Sequence, residues 1–342
     1  DATVTYTVEF SEVVQALDAA TDLTISGGTY VASSLVQDLV GDPTGKTWTF
    51  QVTADDNSTT ALDVSLNNSI VDVNGNLLDP SGGSISLSVD TVNPTVVVDI
   101  VDGSLSDGDS SSVVTFSFSE VPSDFTAADL TLVGGTISGL AQDLVGDPSG
   151  KTYTATYTAD DGFTGTGSVT VDADSYTDVA LNLGSGGSDS VTIDRGNPTV
   201  ATFSHDNGDG VVSDGDATVT YTVEFSEVVQ ALDAATDLTI SGGTYVASSL
   251  SQDLVGDPTG KTWTFQAIAD DNSTADLVAT INDTFVDLSG NVGTGASQSL
   301  TVDTVNPTVA TFSHDNGDGI VSDNDATVTY TVEFSEVVQA LD

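Results

Sequence analysis

The residues of this chain that could do chemistry are overwhelmingly acids, and they return at fixed places. Glu12, Glu120, Glu227 and Glu336 each close the phrase FSE. Asp72, Asp178 and Asp287 sit in VDVNGN (71–76), TDVALN (177–182) and VDLSGN (286–291), the last two ending in Asn182 and Asn291. A third set lies in DTVN (90–93), DRGN (194–197) and DTVN (303–306), supplying Asp90 with Asn93, Asp194 with Asn197, and Asp303 with Asn306. Carboxylates, amides and backbone carbonyls in short turns are the hard oxygen ligands that Ca²⁺ gathers in sixes to eights; Mg²⁺, which demands a strict octahedron, fits them less well. More acids fill HDNGDGVVSDGD (205–216), with Asp206, Asp209 and Asp214, and its copy HDNGDGIVSDND (314–325). The triplet ADD at 54–56, 159–161 and 269–271 adds Asp160, Asp161, Asp270 and Asp271. DNGDG is not an EF-hand, because Gly208 falls at the third position and no Glu stands at the twelfth.

Composition sets the partners. Among 342 residues, 52 are Asp or Glu and 4 are Lys or Arg, a formal net charge of −48. Phosphate binding needs a basic footprint, so nucleic acid and anionic membrane surfaces are excluded as partners. Seven acids are Glu and the other 45 are Asp. That bias suits loops, where a short carboxylate caps turns and holds hard cations; it also fits a solvated acidic coat. There is no Cys, hence no disulfide or thiolate site. No stretch approaches the length of a membrane-spanning helix.

Self-similarity supplies the elements that position these acids. DATVTYTVEFSE occurs at 1–12, 216–227 and 325–336, and NPTV at 93–96, 197–200 and 306–309. The period is about 105 residues. The second repeat reads as strands near 95–101, 112–119, 128–133, 136–143, 151–158, 167–172 and 187–193, rich in Val, Thr, Ile, Tyr and Phe and punctuated by Gly, Asp, Asn and Pro. DAATDL (18–23) reads as one helical turn. The fold class is therefore all-β: tandem seven-stranded immunoglobulin-like sandwiches in a linear array. The expected domains are 1–91 lacking its first strand, 92–195, 196–304, and the opening strands of another at 305–342. The chain reads as a window on a longer array; exchange of the strand at 305–324 between chains is the alternative.

In ATVTYTVEF, Val4, Tyr6, Val8 and Phe10 face a core, while Thr3, Thr5, Thr7 and Glu9 face outward. Trp48, Tyr153 and Trp263 occupy equivalent core positions of the fifth strand. The second and fifth strands should be neighbours, laying Thr3, Thr5 and Thr7 beside Thr47 and Thr49, and Thr115, Ser117 and Ser119 beside Thr152, Thr154 and Thr156. Thr is the usual polar residue of a solvated strand face; a hydroxyl array could also meet ice, a glycan or a neighbouring filament.

This topology brings the end of the second strand, the loop between strands six and seven and the incoming linker to one pole. Asp90, Asn93, Glu120, Asp178 and Asn182 should meet there in one repeat, and Asp194, Asn197, Glu227, Asp287 and Asn291 in the next. Ala180 and Leu181 stand where the next repeat has Ser289 and Gly290, which puts the Asn182 contact in question. Like charges about 5 Å apart repel by a few kcal/mol even at an effective dielectric near 20, and a divalent cation reverses that sign.

FSE, YTD (176–178), DLSGN, GSGGSDSVTIDRGNPTV (184–200) and the DTVNPTV linkers, recurring in order, resemble the tandem bacterial Ig-like domains of large secreted adhesins of the RTX type. The resemblance covers the whole chain and implies an extracellular extender region stiffened by Ca²⁺ at the linkers. The Gly/Asp-rich nonapeptide repeats of that class do not occur in this sequence. Other implied partners are further copies of the chain, as in a filament or surface layer, and ice or glycan. The sequence carries no HExxH, P-loop or nucleophile elbow, its two histidines (His205 and His314) fall at equivalent loop positions, and it reads as non-catalytic. Sequons stand at Asn57, Asn67, Asn272 and Asn282.

Overall fold

The computed structural model describes residues 3–79, 83–323 and 327–339. It contains two compact units, one of Asp1–Leu105 with Asp109–Ile193, the other of Ser106–Gly108 with Asp194–Asp342.

In the first unit, Thr3–Glu9, Thr47–Ala54 and Gly28–Tyr30 form one sheet, with Val36–Gln37 also paired to Thr47–Ala54. Leu23–Ser26, Leu62–Leu66 and Ser84–Leu87 form the facing one. The second repeat builds one sheet in the order Gly135–Gln142, Thr152–Ala159, Ser111–Phe118, Val96–Ile100, and another in the order Leu130–Val133, Thr164–Val171, Gly187–Asp194, Ser104–Leu105. Alternation explains the two layers. Ser111–Phe118 buries Ser112, Val114, Phe116 and Phe118 and turns the intervening residues outward. Phe116 is fully buried, worth about 2–3 kcal/mol relative to exposure.

The second unit repeats the plan. Val200–His205, Thr218–Phe225, Thr262–Ala269 and Gly243–Tyr245 form one sheet; Val211–Val212, Ala296–Val302, Leu277–Ile281 and Leu238–Ser241 form the other. Val309–His314 and Tyr330–Phe334 pair as a further two-stranded element.

The all-β reading of the sequence holds, and the second strand does pair with the fifth, with Thr7 opposite Thr49, Thr115 opposite Thr154 and Thr222 opposite Thr264. Trp48 and Trp263 are core residues, each 8 % exposed. The DAATDL turn forms a helix, Ala19–Asp22, capped by Asp18. Two short strands escape the sequence reading. Ser104–Leu105 and Val211–Val212 run parallel to the last strand of their repeats. Leu105 and Val212 are buried plugs in Gly- and Asp-rich loops, and two residues give no periodicity to detect.

Candidate metal centres

Each centre begins with a turn that turns an aspartate inward. In VDLSGN, Asp287 is fully buried and its Oδ1 accepts the Ser289 and Asn291 amides at 2.8 and 2.9 Å, while Oδ2 accepts Asn291 Nδ2 at 2.8 Å. Gly290 takes φ +88°, a left-handed conformation natural to glycine. In TDVALN, Asp178 is 1 % exposed and accepts the Asn182 amide at 2.9 Å and its Nδ2 at 2.8 Å. Leu181 adopts φ +71° in the glycine's place. Asn182 therefore bonds Asp178 despite the changed turn, at the cost of a left-handed leucine. Asp72 is the first repeat's version, bonded by the Asn74 and Asn76 amides and Asn76 Nδ2. The Asn76 side chain is the main cause that holds the Asp72 carboxyl below the usual carboxylate range.

The other two acids arrive on separate segments. Asp90, Glu120 and Asp178 bring one carboxylate oxygen each to within 4.8 Å of one another, and Asp194, Glu227 and Asp287 do the same in the second unit. Burial, then the neighbouring Asp178 and Asp90, push the Glu120 carboxyl up; burial, then Asp287 and Asp194, push Glu227 up. The Lys151 and Lys261 ammonium groups oppose these rises. These lysines and Lys46 donate from Nζ to the carbonyls of Ser119, Ser226 and Ser11, at 2.6, 2.7 and 2.8 Å, each beside the FSE glutamate. Three of the chain's four cationic side chains thus brace the strand end at the acidic pole.

Three carboxylates on three segments form a hard oxygen set on one pole of a sandwich. The set suits a divalent cation, which would offset both the burial of Glu120 and Glu227 and their repulsion by the neighbouring aspartates.

Residues 90–195 match the bacterial Ig-like domain family. No curated protein matches the chain. The solved structure of Yersinia pseudotuberculosis InvD aligns at 18 % identity over 66 % of this chain and 63 % of its own, less than two thirds of its length, with a TM-score of 0.24. The D00–D0 domain of intimin aligns at 14 % identity over 61 % of this chain and 99 % of its own, TM-score 0.27. Domains 4–9 of the surface layer protein SbsC align at 16 % identity over 89 % of this chain and 41 % of that one, TM-score 0.19.

Other expected ligands are placed differently. Asn93, Asn197 and Asn306 are exposed, and belong to neither carboxylate group. Asn291 reaches the second group as a staple. Its Nδ2 donates to Asp287 Oδ2 and, at 2.9 Å, to the Asp194 carbonyl, while its Oδ1 accepts the Asp107 amide at 2.9 Å. Asn182 Nδ2 likewise donates to the Asp90 carbonyl at 3.1 Å. Glu12 is exposed beside buried Asp72, and Glu336 and Asp303 are exposed; among the described residues neither pair joins a group of three acids.

The acids of the opposite pole also form no such group among the described residues. Asp206 accepts the Thr220 amide at 2.8 Å and Asp209 the Val211 amide at 3.2 Å, so both shape turns. Asp214, Asp160, Asp161, Asp270 and Asp271 are exposed. In the copy of this loop at 314–325, Asn324 and Asp325 lie outside the described residues.

Sequence reasoning missed the residues that tie down the linkers. Thr91 Oγ1 donates to the Asp55 carbonyl at 2.8 Å and accepts the Ser58 amide at 3.0 Å. Thr304 repeats this with Asp270 at 2.7 Å and Ser273 at 2.9 Å. At the intervening linker Arg195 replaces the threonine, and its Nε meets Asp107 Oδ1 at 3.0 Å. The signal was present: DTVN travels with ADDNS, and DRGN with ADDGF.

Proposed function

We propose that this chain is a structural extender segment of a secreted or cell-surface bacterial adhesin or fibre, and that Ca²⁺ bound at the carboxylate groups stiffens it. The observation that carries the reading is the pair of equivalent three-acid groups in successive repeats, each joining a linker aspartate to acids of the repeat that follows. Asp90, Glu120 and Asp178 would hold one ion, and Asp194, Glu227 and Asp287 another. The ion supplies positive charge that ties linker to sandwich, and Asn182 and Asn291 hold the turns in place. The role is mechanical, not catalytic.

Thermal unfolding and small-angle scattering of the whole chain, in excess Ca²⁺ and then in EDTA, test this reading. Ca²⁺ should raise the melting temperature and lengthen the particle. No change in either would overturn the calcium reading.

A second reading, direct binding of ice or glycan through the outward threonines, draws on the cross-strand pairs Thr7–Thr49, Thr115–Thr154 and Thr222–Thr264. Replacing these threonines with valine should abolish binding and leave the fold intact if the face is the binding surface.

A further inference from the structure

Three observations meet on one buried amide. Asn291 is 0 % exposed. Its Nδ2 is spent on the Asp194 carbonyl and on Asp287, so its Oδ1 points away from the carboxylate group and accepts the Asp107 amide. Asp107 is in turn held by Arg195, at 3.0 Å, with the two side chains 29 % and 15 % exposed. Arg195 follows Asp194 directly, so the same short stretch of chain carries a carboxylate of the group and the cation of the clamp. The segment Ser106–Gly108 groups with the second unit. In an aqueous setting an exposed ion pair is weak, but this one is partly sheltered and backed by an amide bond to a buried acceptor.

We propose that Asp107 and Arg195 form a latch that needs no metal. It captures the 106–108 turn on Asn291 and fixes that amide, so Asp194 and Asp287 stay turned toward Glu227 before any cation arrives. Asp107 and Arg195 are positioning residues. The latch rests on the geometry alone; its effect on cation binding rests on the function proposed above. At the Asp90 group Thr91 stands where Arg195 does and is engaged with Asp55 and Ser58, so that group serves as the comparison.

The test uses the whole chain with Arg195→Ala, Asp107→Ala, and the charge swap Asp107→Arg with Arg195→Asp. Amide hydrogen exchange is read in EDTA, and terbium luminescence titration is read without EDTA. Each single variant should speed exchange at residue 107 by about fivefold or more, the size of a sheltered ion pair, and the swap should restore much of the protection. Each single variant should also weaken terbium at one class of site, the class removed by Glu227→Gln, and spare the class removed by Glu120→Gln. Unchanged exchange in both single variants, or a swap worse than either, would overturn the latch. If the native chain binds no terbium, the metal reading fails and the exchange result still decides the latch.

Discussion

The two carboxylate groups draw on the same three places in successive repeats, yet they are held differently. The Asp194 group has a glycine at the tight position of its turn, a serine (Ser289) whose Oγ donates to Asp194 Oδ2 at 2.7 Å, and an asparagine buried and fixed on both sides. The Asp90 group has a leucine forced left-handed, an alanine in place of the serine, and an asparagine half-exposed. The linkers differ in the residue that anchors them. Thr91 and Thr304 bind their linker onto the ADDNS turn through a hydroxyl, whereas Arg195 binds its linker onto the 106–108 turn through an ion pair with Asp107. A site of one composition can thus be rigidified through its own turn or through its linker, and neighbouring repeats use different mixtures of the two.

The largest expected effect breaks the turn itself. Asp287→Ala strips three donors of a buried acceptor and should cost about 2–4 kcal/mol in urea unfolding measured in EDTA; Asp178→Ala, with two side-chain bonds to lose, should cost about 1 kcal/mol less. Equal costs would remove the distinction between the turns. Thr304→Val leaves the Ser273 amide without its partner and should cost about 1–2 kcal/mol, with Thr91→Val close to it; the check is the denaturation midpoint together with exchange at Ser273 and Ser58. The turn glycine gives a smaller, signed test. Leu181→Gly should stabilise the chain by about 0.5–1 kcal/mol, because an exposed left-handed leucine loses its backbone strain. Gly290→Ala should destabilise by about 1 kcal/mol, although a Cβ there would meet nothing within 4 Å.

The smallest expected effect is on pH dependence. Asp42 and Asp257 lie in the DPTGK turns, and hydrogen bonds, first from the hydroxyls of Thr44 and Thr259, lower their carboxyls to about 2. A folded-state value below the unfolded one means that this stability is present above about pH 4 and is lost as pH falls through about 2. Replacing both residues with Asn should flatten the fall in melting temperature over that window. The same slope in native and variant chains would show that other acids govern it.

Much of this architecture was legible in the sequence because β structure writes its pleat into alternate residues. TVTYTVEF shows its buried and outward faces directly, and the repeat fixed which strands correspond. The inward aspartates were legible through the asparagine that ends each of their turns. Less legible was what each polar side chain does on arrival. Asn182 and Asn291 look like oxygen ligands in sequence, but they turn their amide nitrogens to the acids, since a buried carboxylate needs donors. The loop around Asp206 is rich in candidate oxygen ligands, and two of them, Asp206 and Asp209, accept turn amides.

The sequence by itself determined the repeat, the sandwich layers and which acids stand near one pole, because hydrophobic periodicity and turn chemistry act locally and repeat with the chain. Only the tertiary structure decided which three acids come within reach of one cation, that Leu105 and Val212 plug their sandwiches, and that Asp107 crosses to Asn291 and Arg195. Those contacts join residues from 30 to 184 positions apart. No local pattern encodes them, and they exist only once the strands have paired and the apolar faces have closed.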